Sequence, residues 1–240
     1  MKVIGLVQAR MGSSRLPGKV MRPLAGQPLV WHIVDRLCRV PGIAGNVLAT
    51  TADPTNDILE TFARAHALPV VRWPDEDDII GRLLAAADLT DADAFVKVNA
   101  DCPLLDPEIV EGVLDRFLAG DAIDLATNKL DGSYPLGYSV EIVRVETLRR
   151  CDRELKQPAQ RELVIQWMID HPDAFRLLGV SGPGIAVAPN LTVDYPDDYA
   201  LMQRIFDALY EPGACFGLAE VLRLLQETGI STIPNAGGTG

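Results

Sequence analysis

Cysteine is sparse and scattered in this chain. Cys38, Cys102, Cys151 and Cys215 form no CxxC pair, so no zinc ribbon or thioredoxin-type redox motif is encoded, and free thiols in a reducing compartment are expected. Histidine is scarcer: His32, His66 and His171 share no metal-ligand spacing. No apolar run approaches the roughly eighteen residues that a membrane-spanning helix needs. Met1 and Lys2 lead straight into an apolar strand-like run, without the pattern of a signal peptide. A cytoplasmic location with no membrane contact is the expectation. Basic charge is also in deficit, 22 Lys+Arg against 33 Asp+Glu for a net charge of -11. That argues against a general nucleic-acid binder, whose footprint is a basic face, but it leaves room for a local basic pocket.

No internal repeat and no Ser/Gly-rich linker interrupts the chain, and 240 residues suit one α/β domain with a full core. Strand and helix patterns alternate through the first half. Strands are expected at 3–7, 47–51, 69–72 and 94–99, and helices at 28–39, 56–67 and 77–88. This order implies a mainly parallel sheet covered on both faces. After about residue 120 the spacing loosens, with strands expected at 122–127, 137–144, 175–180 and 185–193 and a helix at 158–170. That half, residues 121–234, reads as a smaller lobe that completes the sheet begun by residues 1–120. The tail 235–240 is expected to be disordered.

Charge and glycine concentrate just past the first strand, in Gln8-Ala9-Arg10-Met11-Gly12-Ser13-Ser14-Arg15-Leu16-Pro17-Gly18-Lys19. In open α/β sheets ligands bind at the carboxyl edge of the strands. Backbone N–H groups of Gly12, Ser13 and Ser14 can approach an anion closely, and Arg10, Arg15 and Lys19 supply countercharge, so the natural guest is a polyphosphate. The segment is not a P-loop: five residues separate Gly12 from Gly18, and Val20 follows Lys19 where a P-loop places a magnesium-binding hydroxyl. A metal would have to be held elsewhere.

Two carboxylates stand at strand ends. Asp101 follows the strand 94–99, at the same sheet edge as the basic loop. A carboxylate beside a triphosphate repels it unless a cation lies between them, and magnesium bridges both. Asp101 also suits a helix N-cap, although Asp106-Pro107-Glu108 is the better helix start. Asp194 ends the apolar run Leu191-Thr192-Val193, ahead of a proline turn with Asp197 and Asp198 behind it. Acidic residues there also favour a helix dipole.

The 8–19 segment resembles the opening signature of the cytidylyltransferases that activate acidic sugars. It is most similar to their spore-coat-polysaccharide (SpsF-like) branch, related to the acylneuraminate and KDO cytidylyltransferases. Leu24-Ala25-Gly26-Gln27-Pro28-Leu29 fits that branch too. The resemblance implies a three-layer, Rossmann-like (GT-A-like) sheet with a smaller C-terminal lobe for acceptor binding and dimerisation. It implies CMP transfer from CTP to a small, anionic sugar or related acceptor, with pyrophosphate released and Mg2+ as cofactor, for surface polysaccharide or glycoconjugate synthesis. A homodimer is implied as well. Another nucleoside triphosphate stays open as the donor.

By the same resemblance Lys19, Arg10 and Asp101 are the catalytic candidates, and Asp101 and Asp194 hold the metal. Nucleotide binding falls to Gln8, Ala9, Arg10, Gly12, Ser13, Ser14, Arg15, Lys19, Asn99 and Arg82. Arg82 comes from Trp73-Pro74-Asp75-Glu76-Asp77-Asp78-Ile79-Ile80-Gly81-Arg82, which is similar to the family's Gly-x-Glu-x-Asp-Val-Leu-Asp-Arg. Trp73 stands for the Gly and Gly81 for the Asp. Acceptor binding falls to Tyr138, Ser139, Glu141, Arg161 and Glu162. Here Ser139 replaces an acid, and Leu163 and Ile165 replace a His and a Thr. Arg161 and Glu162 read equally well as a surface pair on a helix. Two other readings stand: a glycosyltransferase of similar fold that uses a nucleotide sugar, and a non-catalytic nucleotide-binding module.

Overall fold

Strand β1 (Val3–Gln8) sends Val3 and Val7 into one hydrophobic core and Ile4 and Leu6 into another. A strand buried on both faces belongs to a sheet with helices on both sides. The computed structural model describes residues 1–184 and 189–229. After β1 come a hairpin of β2 (Pro23–Leu24) and β3 (Gln27–Pro28), α1 (Leu29–Cys38), β4 (Ile43–Thr51), α2 (Asp57–Ala65), β5 (Val70–Trp73), α3 (Ile79–Thr90), β6 (Ala94–Asn99) and α4 (Pro107–Ala119). The second half contributes β7 (Leu125–Thr127), β8 (Glu141–Arg144), α5 (Val145–Glu154), α6 (Pro158–Glu162), α7 (Val164–Asp170), β9 (Leu177–Gly179), α8 (Pro196–Leu209) and α9 (Leu218–Thr228).

The seven-stranded sheet runs β5-β4-β1-β6-β8-β7-β9. β5, β4, β1 and β6 are mutually parallel, β8 is antiparallel to both its neighbours, and β9 returns parallel to β7. One face is covered by apolar residues of α1, α2, α4, α8 and α9, the other by those of α3, α5 and α7. The molecule is thus a three-layer, Rossmann-like α/β sandwich, and β8 stitches the second half directly onto β6. Among the described residues no helix is long and apolar enough to cross a membrane.

The first half follows its expected order closely, and the second departs in instructive ways. The helix expected over 158–170 is two, α6 and α7, bent at Leu163. Before the bend Arg161 is tied to Asp78 and Asp152, and after it Val164 and Met168 lie in the core. The strand expected over 137–144 begins only at Glu141. Gly137 has φ 101, and a Cβ there would lie 2.5 Å from the Leu191 carbonyl oxygen. Of the strand expected over 185–193, residues 185–188 lie outside the described residues, as does the tail 235–240. The remainder forms only an isolated bridge between Leu136 and Asn190. The β2–β3 hairpin turns through Ala25 and Gly26, both with positive φ.

Candidate active site

The β1–β6 register pairs Gln8 with Asn99, so both strands end at one edge. Ala100 N–H donates to Gln8 O at 2.9 Å and continues the pairing one residue further. The basic loop and Asp101 therefore leave the sheet side by side. The loop is pinned from beneath. Met11 N–H donates to Asn56 Oδ1 at 2.8 Å, and buried Asn56 donates in turn to Thr51 Oγ1 at 2.7 Å. Ser13 and Gly18 N–H both donate to Met11 O. Leu16 is the buried plug, and Gly18, at φ 68, supplies the left-handed turn into a short 3-10 segment that starts at Lys19. With Leu16 inward, Gly12, Ser14 and Arg15 stay exposed. Together with Arg10 and Ser13 they line a cleft of about 560 Å3.

At the back of the cleft Lys19 joins Asp101 and Asp194. Its Nζ donates to Asp101 Oδ2 at 3.3 Å, to Asp194 Oδ1 at 2.9 Å and to the Val193 carbonyl oxygen at 2.7 Å. Val193 N–H donates to Asp101 O at 2.9 Å and locks the two loops together. Arg15 pairs with Asp194 Oδ1 at 3.1 Å and lies over the Tyr195 ring. Asp198 accepts the Asp194 and Tyr195 N–H groups at 2.9 and 2.8 Å, which fixes the turn. Burial acts to raise the Asp194 pKa, but Lys19 and Arg15 outweigh it and hold the carboxyl below its ordinary value. Asp106, not Asp101, caps α4, accepting from Glu108 N–H at 2.9 Å. Burial, then the adjacent Asp101 carboxylate, push the Cys102 thiol well up.

The donor set fits a hard divalent cation. Two carboxylates converge on one cationic atom, and among the described residues no third histidine, cysteine or acid completes an all-protein cage. Magnesium is held in this way, by one or two carboxylates with substrate phosphates and water supplying the rest.

The first turn of α3 forms a second wall. Arg10 pairs with Glu76. Arg82 lines the cleft yet is only 2% exposed, and it donates to the Glu76 carbonyl oxygen at 2.6 Å with its Nε unpartnered. Burial lowers its pKa, and Arg10 adds to the effect. Gln8 Oε1 is likewise buried and unpartnered at this wall. Asn99 lines the cleft and accepts from Lys97 Nζ at 3.3 Å.

The five acceptor candidates divide. Glu141 and Glu162 line the cleft, and Tyr138, Ser139 and Arg161 do not. Tyr138 is a core residue, 1% exposed, because the Gly137 turn drives its ring inward. Arg161 is spent on Asp78, Asp152 and the Leu155 carbonyl at 2.8, 2.8 and 3.2 Å, so it fastens α6 to the start of α3. Sequence reading missed Lys97 and Lys129. Their ammonium groups bracket Glu141 at 2.9 and 3.0 Å on the cleft floor. A lysine inside the apolar run Phe95-Val96-Lys97-Val98 was the available signal for the first. Lys129 offered none. Leu163, 57% exposed, lines the opposite side with Ile165 and Gln166.

A protein-family model described as cytidylyltransferase matches residues 4–193. The spore coat polysaccharide biosynthesis protein SpsF of Bacillus subtilis is 27% identical over 212 residues, covering 85% of this chain and 86% of that protein. A 3-deoxy-manno-octulosonate cytidylyltransferase of Hydrogenovibrio crunogenus is 32% identical over 165 residues, 68% of this chain and 60% of that protein. Among solved structures, a cytidylyltransferase from Leptospira borgpetersenii superposes with a TM-score of 0.89 at 26% identity, covering 95% of each chain. A CMP:2-keto-3-deoxy-manno-octonic acid synthetase complexed with CTP superposes with a TM-score of 0.66 at 19% identity over 86% of this chain and 99% of that one, a likeness of fold.

Proposed function

The chain belongs to the cytidylyltransferase family and is a nucleotidyltransferase, and from that premise we propose that it transfers CMP from CTP to a small anionic acceptor, a sugar or related compound, with Mg2+ as cofactor. The observation that carries this reading is the convergence of Lys19, Arg15, Asp101 and Asp194 at the carboxyl edge of the sheet. An acceptor oxygen attacks the α-phosphorus of CTP, the bond to the β-phosphate oxygen breaks, and pyrophosphate leaves. Such chemistry asks the protein for positioning and charge neutralisation more than for a covalent nucleophile. Arg10, Arg15 and the amides of Gly12 to Ser14 hold the triphosphate where charge builds up. Asp101 and Asp194 hold the metal, which when bound polarises the phosphoryl oxygens and makes the acceptor hydroxyl more acidic.

The anionic character of the acceptor is supported by the cleft floor. Lys97 and Lys129 face one carboxylate, Glu141, and leave one positive charge in excess there. Cytosine preference, synthesis of surface polysaccharide or glycoconjugate, a homodimer and a cytoplasmic location belong to the same reading and rest on the resemblance. The test is thermal stability against CTP, UTP, GTP and ATP, with and without Mg2+. A ligand that binds only the native state stabilises it by about 2.7 kcal/mol at a hundredfold excess over Kd. A CTP-selective shift strengthened by Mg2+ is expected, followed by pyrophosphate release in an acceptor screen. A shift with nucleotide sugars alone would point to a glycosyltransferase.

A further inference from the structure

We propose that Lys19 is the protein's own counter-cation for the Asp101–Asp194 pair, competing with the metal for the same carboxylates, and that it is released to the nucleotide phosphates when the metal takes them. The inference rests on the assignment of those two aspartates to metal.

An ammonium has three N–H donors and no more. Lys19 spends all three on the protein, at Asp101, Asp194 and the Val193 carbonyl. None is left for a phosphate, so Lys19 cannot contact the triphosphate from this position. Nor is the position incidental, since Lys19 is only 9% exposed. Two carboxylates drawn together without a cation repel each other, and a buried ammonium without partners is costly. Each side therefore stabilises the other.

The anchor of the side chain favours a swing. Gly18 and the 3-10 segment Lys19–Met21 fix the backbone, while the four-carbon stem rotates about ordinary single bonds. Arg15 holds Asp194 independently of Lys19, and the Val193–Asp101 backbone hydrogen bond holds the two loops. The Asp194 carboxylate and the backbone of both loops thus keep their places when Lys19 leaves. Lys19 and a divalent cation compete for the same oxygens, and the phosphates that accompany the metal offer the displaced ammonium new partners. Metal and nucleotide are then coupled: each binds better with the other present, by one reciprocal factor.

The test is calorimetric titration of Mn2+ into wild type and Lys19→Met, with and without CTP. It is joined by acetic-anhydride labelling of Lys19 in the wild type, with and without Mg2+, read by mass spectrometry. Without CTP, Lys19→Met should bind Mn2+ at least roughly tenfold tighter than wild type, and the tightening by CTP should be smaller in the variant. Lys19 labelling in the wild type should rise with Mg2+ alone. Should Mn2+ bind both proteins with CTP while the variant gains nothing without it, the lysine inference is wrong and the metal assignment stands. No Mn2+ binding under any condition overturns both. If Lys19→Met does not fold, the labelling decides, and reactivity unchanged by saturating Mg2+ rejects the inference.

Discussion

Lys97 and Glu141 stand directly opposite each other across the antiparallel β6–β8 pair, and Lys97 Nζ donates to Glu141 Oε2 at 2.9 Å. Lys129 takes the other carboxylate oxygen at 3.0 Å. The triad sits where the second half of the chain joins the first, so the charge pattern of the cleft floor and the closure of the sheet share one set of side chains.

Glu141→Gln removes the charge that both lysines need. Breaking a buried pair from one side leaves uncompensated charge and costs about 3–5 kcal/mol, to be read by urea unfolding at neutral pH. Burial acts to raise the Glu141 pKa, but the two ammonium groups overcome it and bring the carboxyl from 4.5 to about 2. A lowered folded-state pKa adds stability above the ordinary value and loses it as pH falls toward the folded one. The gap between wild type and Glu141→Gln should therefore narrow between pH 4.5 and 2, seen as converging unfolding midpoints.

Trp73 and Gly81, both departures from the family pattern, accommodate each other. A Cβ on Gly81 would lie 2.5 Å from Trp73 Cζ2, 2.7 Å from Cε2 and closer still to Asp78 Oδ2. Gly81→Ala gains about 1 kcal/mol of helix propensity, and overpacking costs about 1–3 kcal/mol, so net destabilisation is expected. In Trp73→Ala the same change should cost less, because only the Asp78 contact remains. A double-mutant cycle by chemical denaturation measures the coupling, expected at about 0.5–3 kcal/mol.

Arg161→Met unfastens α6 from α3. The Arg161 and Asp78 side chains are 18% and 17% exposed, so solvent screens their pairing little. A hydrogen bond to a charged group contributes about 1.5–3 kcal/mol, and a loss of that size is expected. Amide exchange should quicken in residues 158–170 while β1 and β6 stay protected. Arg161→Lys should recover only part of the stability, since an ammonium cannot reproduce the fork to Asp78 and Asp152.

Asp101→Asn tests the metal assignment through turnover. Loss of a metal ligand removes several kcal/mol of transition-state stabilisation, which is a drop of about a hundredfold or more. Pyrophosphate release should fall by that much while the melting temperature falls only modestly, since Lys19 keeps Asp194 and the Val193 carbonyl as partners. A proportionate fall in stability would make Asp101 a structural residue instead.

Local order along the chain was enough to place the first half. The apolar runs at 3–7 and 94–99, the helix at 28–39 and the basic loop after the first run all follow from hydrophobic period and turn chemistry, which depend on neighbours within one or two turns. Asp101 and Asp194 were legible because each follows an apolar run, although only Asp101 follows a strand of the sheet and Asp194 follows an isolated bridge. Their meeting on one lysine, 82 and 175 residues away in sequence, was not, because it depends on how the loops close over the folded edge. The same limit explains Tyr138, whose motif position suggested the acceptor but whose ring a left-handed glycine turns into the core. It also explains Arg161, whose partners come from α3 and α5.

Composition, periodicity and the motifs after the apolar runs settled the fold class and the edge of the sheet at which the basic loop and Asp101 emerge, since these are properties of single segments. The saturated Lys19, the Lys97–Glu141–Lys129 floor and the fastening of α6 were settled by the folded chain. Each arises from strand register and helix docking between segments far apart in sequence, and a side chain's partners are chosen only once those segments pack.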